Sequence, residues 1–112
     1  MKPSIILCFL FFAGNCLSAQ TILPADVQIK TALLAAPPDQ RQNETVLGYD
    51  PSGKLVTLQK GTGNLVCLCD DPKEKGIKVA CYSVKLEPFM ARGRELIAEG
   101  KTEAEKHDIR TQ

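Results

Sequence analysis

The chain has 112 residues, enough for one domain. Basic and acidic residues nearly balance at 14 against 13, and aromatic residues make up 5% with no tryptophan. This composition excludes the basic stripe of a nucleic-acid or anionic-membrane binder and weakens any case for stacking bases or sugars.

Residues 1–19 read as a secretory signal peptide. Lys2 puts one positive charge ahead of an uncharged run at residues 5–13. That run is too short to cross a bilayer, and a polar stretch with small residues follows it. Cleavage after Ser18, with Cys16 and Ser18 at the small positions, and cleavage after Ala19 both fit. The segment Ala13-Gly14-Asn15-Cys16 also carries small residues before a cysteine, as lipid attachment needs. Asn15 fills a slot that takes Gly, Ala or Ser, so a lipid anchor at Cys16 is the lesser expectation. Removing the leader takes away Lys2 alone among the charged residues, leaving a neutral chain of about 93 residues with no membrane-spanning segment. A core of that size benefits from a covalent constraint.

Residues 20–43 are expected to form an N-terminal helix and a linker. Ile29, Ala32, Leu33 and Ala36 recur with helical spacing. Pro24 stands where a helix begins, and Pro37-Pro38 stop it. In the polar connector, Asn43-Glu44-Thr45 matches a glycosylation sequon, which matters only in a eukaryotic secretory pathway.

Residues 44–112, in one domain with 20–43, are expected to hold a β-meander and a helical end. Residues 45–49 and 55–59 are short runs of strand-forming residues around Asp50-Pro51-Ser52-Gly53, a hairpin turn in which Pro51 presets its dihedral and Gly53 accepts a positive one. Gly61-Thr62-Gly63-Asn64 breaks the chain before strands at residues 65–69 and 77–83, which are joined through Asp70-Asp71-Pro72. Pro88 opens a helix with Phe89, Met90, Leu96 and Ile97 as its buried positions, and Gly100 caps it. Thr102-Glu103-Ala104-Glu105 reads as a capping box for a last, strongly charged helix with few apolar anchors. The fold class is thus α+β, a small antiparallel meander of about four strands flanked by an N-terminal helix and C-terminal helices.

The cysteines carry the most chemistry. Cys8 and Cys16 leave with the leader, so Cys67, Cys69 and Cys81 remain. In an oxidising compartment three cysteines mean one disulfide and one free thiol. Cys67 and Cys69 share a strand face and are badly placed to pair with each other. Either faces Cys81 acceptably across a hairpin, and register alone does not choose.

The segments Thr45-Val46-Leu47-Gly48-Tyr49-Asp50, Gly61-Thr62-Gly63-Asn64-Leu65-Val66-Cys67, Ala80-Cys81-Tyr82 and Leu86-Glu87-Pro88-Phe89-Met90 resemble a family of small exported bacterial proteins with no assigned activity. The resemblance spans roughly residues 28–110. It implies export to the periplasm or medium and a cysteine pair at Cys67 and Cys81. Cys69 departs from the pattern, where a small residue without a thiol stands. Similar proteins continue beyond the point where this chain stops, which implies a shortened form of a longer protein.

Other motifs yield to simpler readings. Cys67, Cys69 and Cys81 with Asp70 or His107 would make four zinc ligands, but the spacing is not that of a zinc knuckle. Gly100-Lys101-Thr102 lacks the earlier glycine and the preceding strand of a phosphate loop. Asp70-Asp71 before Pro72 suits a turn better than calcium. Arg92 and Arg94 suit a solvated helix face better than an anion site. His107 is the sole histidine, which removes the usual general base. No catalytic, cofactor or metal residue is assigned. The expectation is a non-enzymatic binding or interaction module, its partner open and another envelope protein among the options. The rival reading is a redox protein using Cys69, helped by Lys78 or Lys85; a metal-binding protein comes third.

Overall fold

A computed structural model describes residues 21–112; the signal peptide expected at residues 1–19, with Cys8 and Cys16, lies outside the described residues. Helix α1 (Ala25–Leu33) starts after Pro24, whose carbonyl accepts the amides of Val27 and Gln28 at 3.1 Å. The chain keeps tight turns as far as Ala36, and Arg41 then satisfies the trailing carbonyls. Its Nε donates to Ala36 O at 3.0 Å and its Nη2 to Leu34 O at 3.2 Å.

Four strands follow: β1 (Thr45–Tyr49), β2 (Leu55–Gln59), β3 (Leu65–Leu68) and β4 (Ala80–Ser83). The β1–β2 hairpin forms as its turn residues dictate. Gly53 sits at φ 83°, and Asp50 Oδ1 accepts the Ser52 hydroxyl at 2.6 Å, the Ser52 amide at 2.9 Å and the Lys54 amide at 3.0 Å. These bonds, the Ser52 hydroxyl foremost, hold the Asp50 carboxyl below the usual carboxylate range.

The strands are not an antiparallel meander. The sheet order is β2-β1-β3-β4, with β1 and β3 parallel and the other two pairs antiparallel. The short link after β2 does not fold back on that strand; it crosses the start of β1 and lays β3 on the far side. Gly61 and Gly63 make the crossing possible. A Cβ on Gly61 would enter the backbone of Asn43 and Glu44, and one on Gly63 would enter the Glu44 carboxylate. Asn43 turns the chain at φ 59°, and its carbonyl accepts the Gly63 amide at 2.7 Å. The buried Glu44 carboxylate accepts the Leu65 amide at 2.7 Å, anchoring the first residue of β3. Burial explains why β1 is central: Val46, Leu47 and Gly48 are all buried, whereas β2 and β4 are edges with partly exposed residues.

The core on one sheet face lies under α1. Ala32, Ala36, Val46, Cys67 and Cys69 form it, with Ile29, Leu33, Leu58, Leu65 and Cys81 packed against them. The opposite face carries Leu47, Tyr49, Val66 and Tyr82. Helix α2 (Glu87–Ala98) covers this side and is tied to β4 through Tyr82, whose hydroxyl donates to Glu87 and accepts from Arg94 Nη1 at 3.2 Å. Of the four positions expected to be buried in α2, Leu96 is fully buried and Met90 half-buried, but Phe89 and Ile97 are exposed. Gly93 takes the other buried place, because the following helix packs there. Gly100 ends α2 at φ 88°, and Thr102 opens α3 (Glu103–Arg110) by accepting the Glu105 amide at 3.2 Å. The Gly-Lys-Thr sequence is thus a helix stop followed by a helix start. The last strand is shorter than expected, since Ile77 lies outside it and is 79% exposed.

Candidate functional site

Cys67 and Cys81 stand directly opposite in the β3–β4 ladder with Cα atoms 4.0 Å apart, and they form a disulfide. The bond sits within the α1-side core, where Cys67 is inaccessible to solvent. This settles a choice that register alone left open. Cys69 continues the same face one pleat further, just past the end of β3, where its amide still bonds to Leu47 O at 2.9 Å. Its free thiol is buried, and Sγ lies 3.4 Å from the Gln28 carbonyl.

Gln28 organises this corner. Its side-chain amide acts as a short strand partner for the end of β1: Oε1 accepts the Tyr49 amide at 2.9 Å, and Nε2 donates to the Tyr49 carbonyl at 2.9 Å. Nε2 also donates to Leu23 O at 2.8 Å, fastening the segment before α1 to the sheet. Gly48 leaves the room this requires. A Cβ there would meet Gln28 Oε1 at 2.7 Å and Cys69 Sγ at 2.8 Å, and would run into Leu58. Gln28 is not among the expected site residues, although its position carries a signal: it stands one turn before Ala32 on the apolar stripe of α1, where a polar residue needs a buried partner.

Beside this clamp lies a cleft of about 240 Å³. Ile22, Leu23, Tyr49, Cys69 and Pro72 give it apolar walls, Thr21 stands at its edge, and Gln28, Thr31 and Asp70 border it. Those polar groups are already engaged: Thr31 Oγ1 donates to Val27 O at 2.8 Å and Asp70 Oδ1 accepts the Lys78 amide at 2.8 Å. Burial is the main influence pushing the Tyr49 hydroxyl up to about 12, with Asp71 adding to it.

Burial likewise pushes the Cys69 thiol up to about 11. At neutral pH only about one thiol in ten thousand is then ionised, which does not suit a nucleophile attacking the neighbouring disulfide. Lys78, considered as an activating charge, instead pairs with Glu74 at 3.3 Å. In the purified chain we expect Cys69 to resist a thiol reagent near neutral pH and to react once denatured. Gly48→Ala is expected to destabilise the fold by about 1–3 kcal/mol through overpacking and to speed the native reaction. Equal native and denatured rates would contradict this burial. The sign of the pH dependence follows: below about pH 9 both folded and unfolded chains keep the thiol proton. Between about 9 and 11 the unfolded chain loses it first, so stability falls over that window and a denaturant titration series would show the decline.

The other singled-out residues do not converge. Asp71 Oδ1 accepts the Lys73 amide at 2.9 Å, as turn chemistry requires. His107 is exposed on α3. Among the described residues no three His, Cys, Asp or Glu side chains are grouped to hold a metal ion. Arg92 reaches Glu95 at 3.1 Å and Glu99 at 3.4 Å, and Arg94 pairs with Glu87. No helix among the described residues is long and apolar enough to cross a membrane. Comparison with protein-family models, curated proteins and solved structures finds no match for this chain.

Proposed function

We propose that this chain is an exported binding module, of the exported bacterial kind its sequence resembles, that takes a small and predominantly apolar ligand in the cleft beside Cys69. The observation that carries the reading is the state of the cleft's polar border. Gln28, Thr31 and one oxygen of Asp70 spend hydrogen bonds on the protein itself and Thr21 adds one further polar group, so most of the lining surface is apolar, offered chiefly by Ile22, Leu23, Tyr49, Cys69 and Pro72. Such a surface favours contact with an apolar body over recognition of charge. Export is supported by the leader read at residues 1–19 and by the Cys67–Cys81 disulfide, which persists in oxidising compartments.

Two measurements test this. A mass spectrum of the protein recovered from the cell envelope and medium should show a chain beginning near residue 20, one disulfide and no lipid at Cys16. A chain retaining residues 1–19 in the cytosol with three reduced cysteines would overturn export. Titration of the mature chain with benzyl alcohol as a neutral probe should shift the amides of Gln28, Tyr49, Cys69 and Asp70 and slow thiol modification of Cys69. An absence of shifts there, or a Cys69 thiol that reacts quickly in the native chain, would overturn the binding reading and return attention to redox chemistry.

A further inference from the structure

A second cavity, of about 280 Å³, lies where α2 and α3 meet the β1–β2 side of the sheet. Its apolar lining comes from Tyr49, Leu55, Met90 and Ile97, and three cations border it: Arg94, Lys106 and Arg110. Two of these are already neutralised, Arg94 by Glu87 and Lys106 by Glu103. Arg110 is different. Among the described residues no carboxylate lies within ion-pair distance of it. Its guanidinium is held in place by the Phe89 ring, 3.9 Å below Cζ, and by a bond from Nη1 to Phe89 O at 3.3 Å. Gly93 admits that guanidinium against α2, since any Cβ there would strike Nη1. Its Nε is buried without an acceptor.

A fixed guanidinium with no carboxylate partner attracts an anion, and Nη2, which has no hydrogen-bond partner among the described residues and is not buried as Nε is, is the donor such an anion reaches. Carboxylate matches guanidinium geometry and gains charge-assisted hydrogen bonds from it. The apolar lining asks for a hydrocarbon body on the same molecule. The volume lies at the small end for ligand sites, which limits that body to about six to eight carbons. The geometry points to this cavity as a site for a short-chain aliphatic carboxylate, with Arg110 receiving the carboxylate and Leu55, Met90 and Ile97 the chain. This site shares only Tyr49 with the cleft beside Cys69 and stands whether or not that cleft binds a ligand.

The test uses the mature, disulfide-intact chain with octanoate as probe, followed by calorimetry and by amide shifts. Octanoate is expected to bind saturably, to shift the amides of Leu55, Gly93, Ile97 and Arg110, and to bind at least about tenfold more tightly than octanamide, which has the same chain without the charge. Arg110→Gln is expected to remove that preference while the thermal midpoint stays within a few degrees; Arg92→Gln, paired outside the cavity, should bind as the parent does. Equal affinity for octanoate and octanamide would overturn the proposal. So would an unaffected Arg110→Gln variant, shifts confined to the Cys69 cleft, or no saturation by about 10 mM. If Arg110→Gln does not fold, the octanoate–octanamide comparison on the unaltered chain decides the matter alone.

Discussion

Replacing Cys67 and Cys81 together with alanine, or reducing the disulfide, is expected to cost about 3 kcal/mol and to lower the thermal midpoint by more than about 10 °C. The bond closes a segment with a sequence separation of 14, and a loop of that length restrains the unfolded chain by roughly that amount. Its position adds to the effect. Cys67 is wholly buried in the core under α1, and β4 is an edge strand paired with β3 over only four residues. Without the bond, the long link between β3 and β4 has little else to hold it to the sheet. Denaturant unfolding of the oxidised chain, the reduced chain and the double alanine variant would measure this. A loss below about 1 kcal/mol would mean that the packing around Cys67 holds β4 unaided.

The second large effect belongs to the crossing before β3. Gly61→Ala is expected to cost about 3 kcal/mol or more, because the new methyl group meets only backbone, the Asn43 carbonyl and the carbonyl carbon of Glu44. A side chain could turn away; these atoms cannot move without shifting the first residue of β1. The Gly63 amide bond to Asn43 O and the Glu44 bond to the Leu65 amide would be strained with them. Gly53→Ala is the natural control. It places alanine at positive φ, unlike Gly61→Ala, but with nothing within 4 Å, so the cost should be near the 1 kcal/mol of conformational strain alone. Urea midpoints of the two variants should therefore differ clearly. Equal midpoints would count against the parallel β1–β3 pairing itself, since that pairing is what brings Gly61 across the chain.

Much of the local structure is legible in the sequence, and for a common reason. The Asp50–Gly53 turn, the stop at Gly100, the Thr102 start and the apolar stripe of α1 depend on residues within a few positions of one another. The alternation that sets Cys67 and Cys69 on one face is equally local. The same reasoning misplaced two features that are not local. Gly61-Thr62-Gly63-Asn64 has the composition of a hairpin turn, yet it crosses the start of β1, because a buried strand must pair its backbone N–H and C=O groups on both edges. Phe89 and Ile97 match the expected stripe of α2, yet Gly93 is buried in their stead, since α3 packs there with Arg110.

By itself, then, the sequence determined the number of α-helices and strands, the α+β class and the presence of three cysteines after residue 19. Only the tertiary structure decided the strand order, the parallel pair and the two cavities, and it placed opposite Cys81 the cysteine that the resemblance implies, Cys67, where register alone left Cys69 equally open. Turns, caps and amphipathic stripes arise from interactions inside one short segment. Strand neighbours, a buried thiol and an unmatched guanidinium arise from which distant surfaces exclude water together, and Gln28, Tyr49 and Arg110 acquire their roles only from that contact.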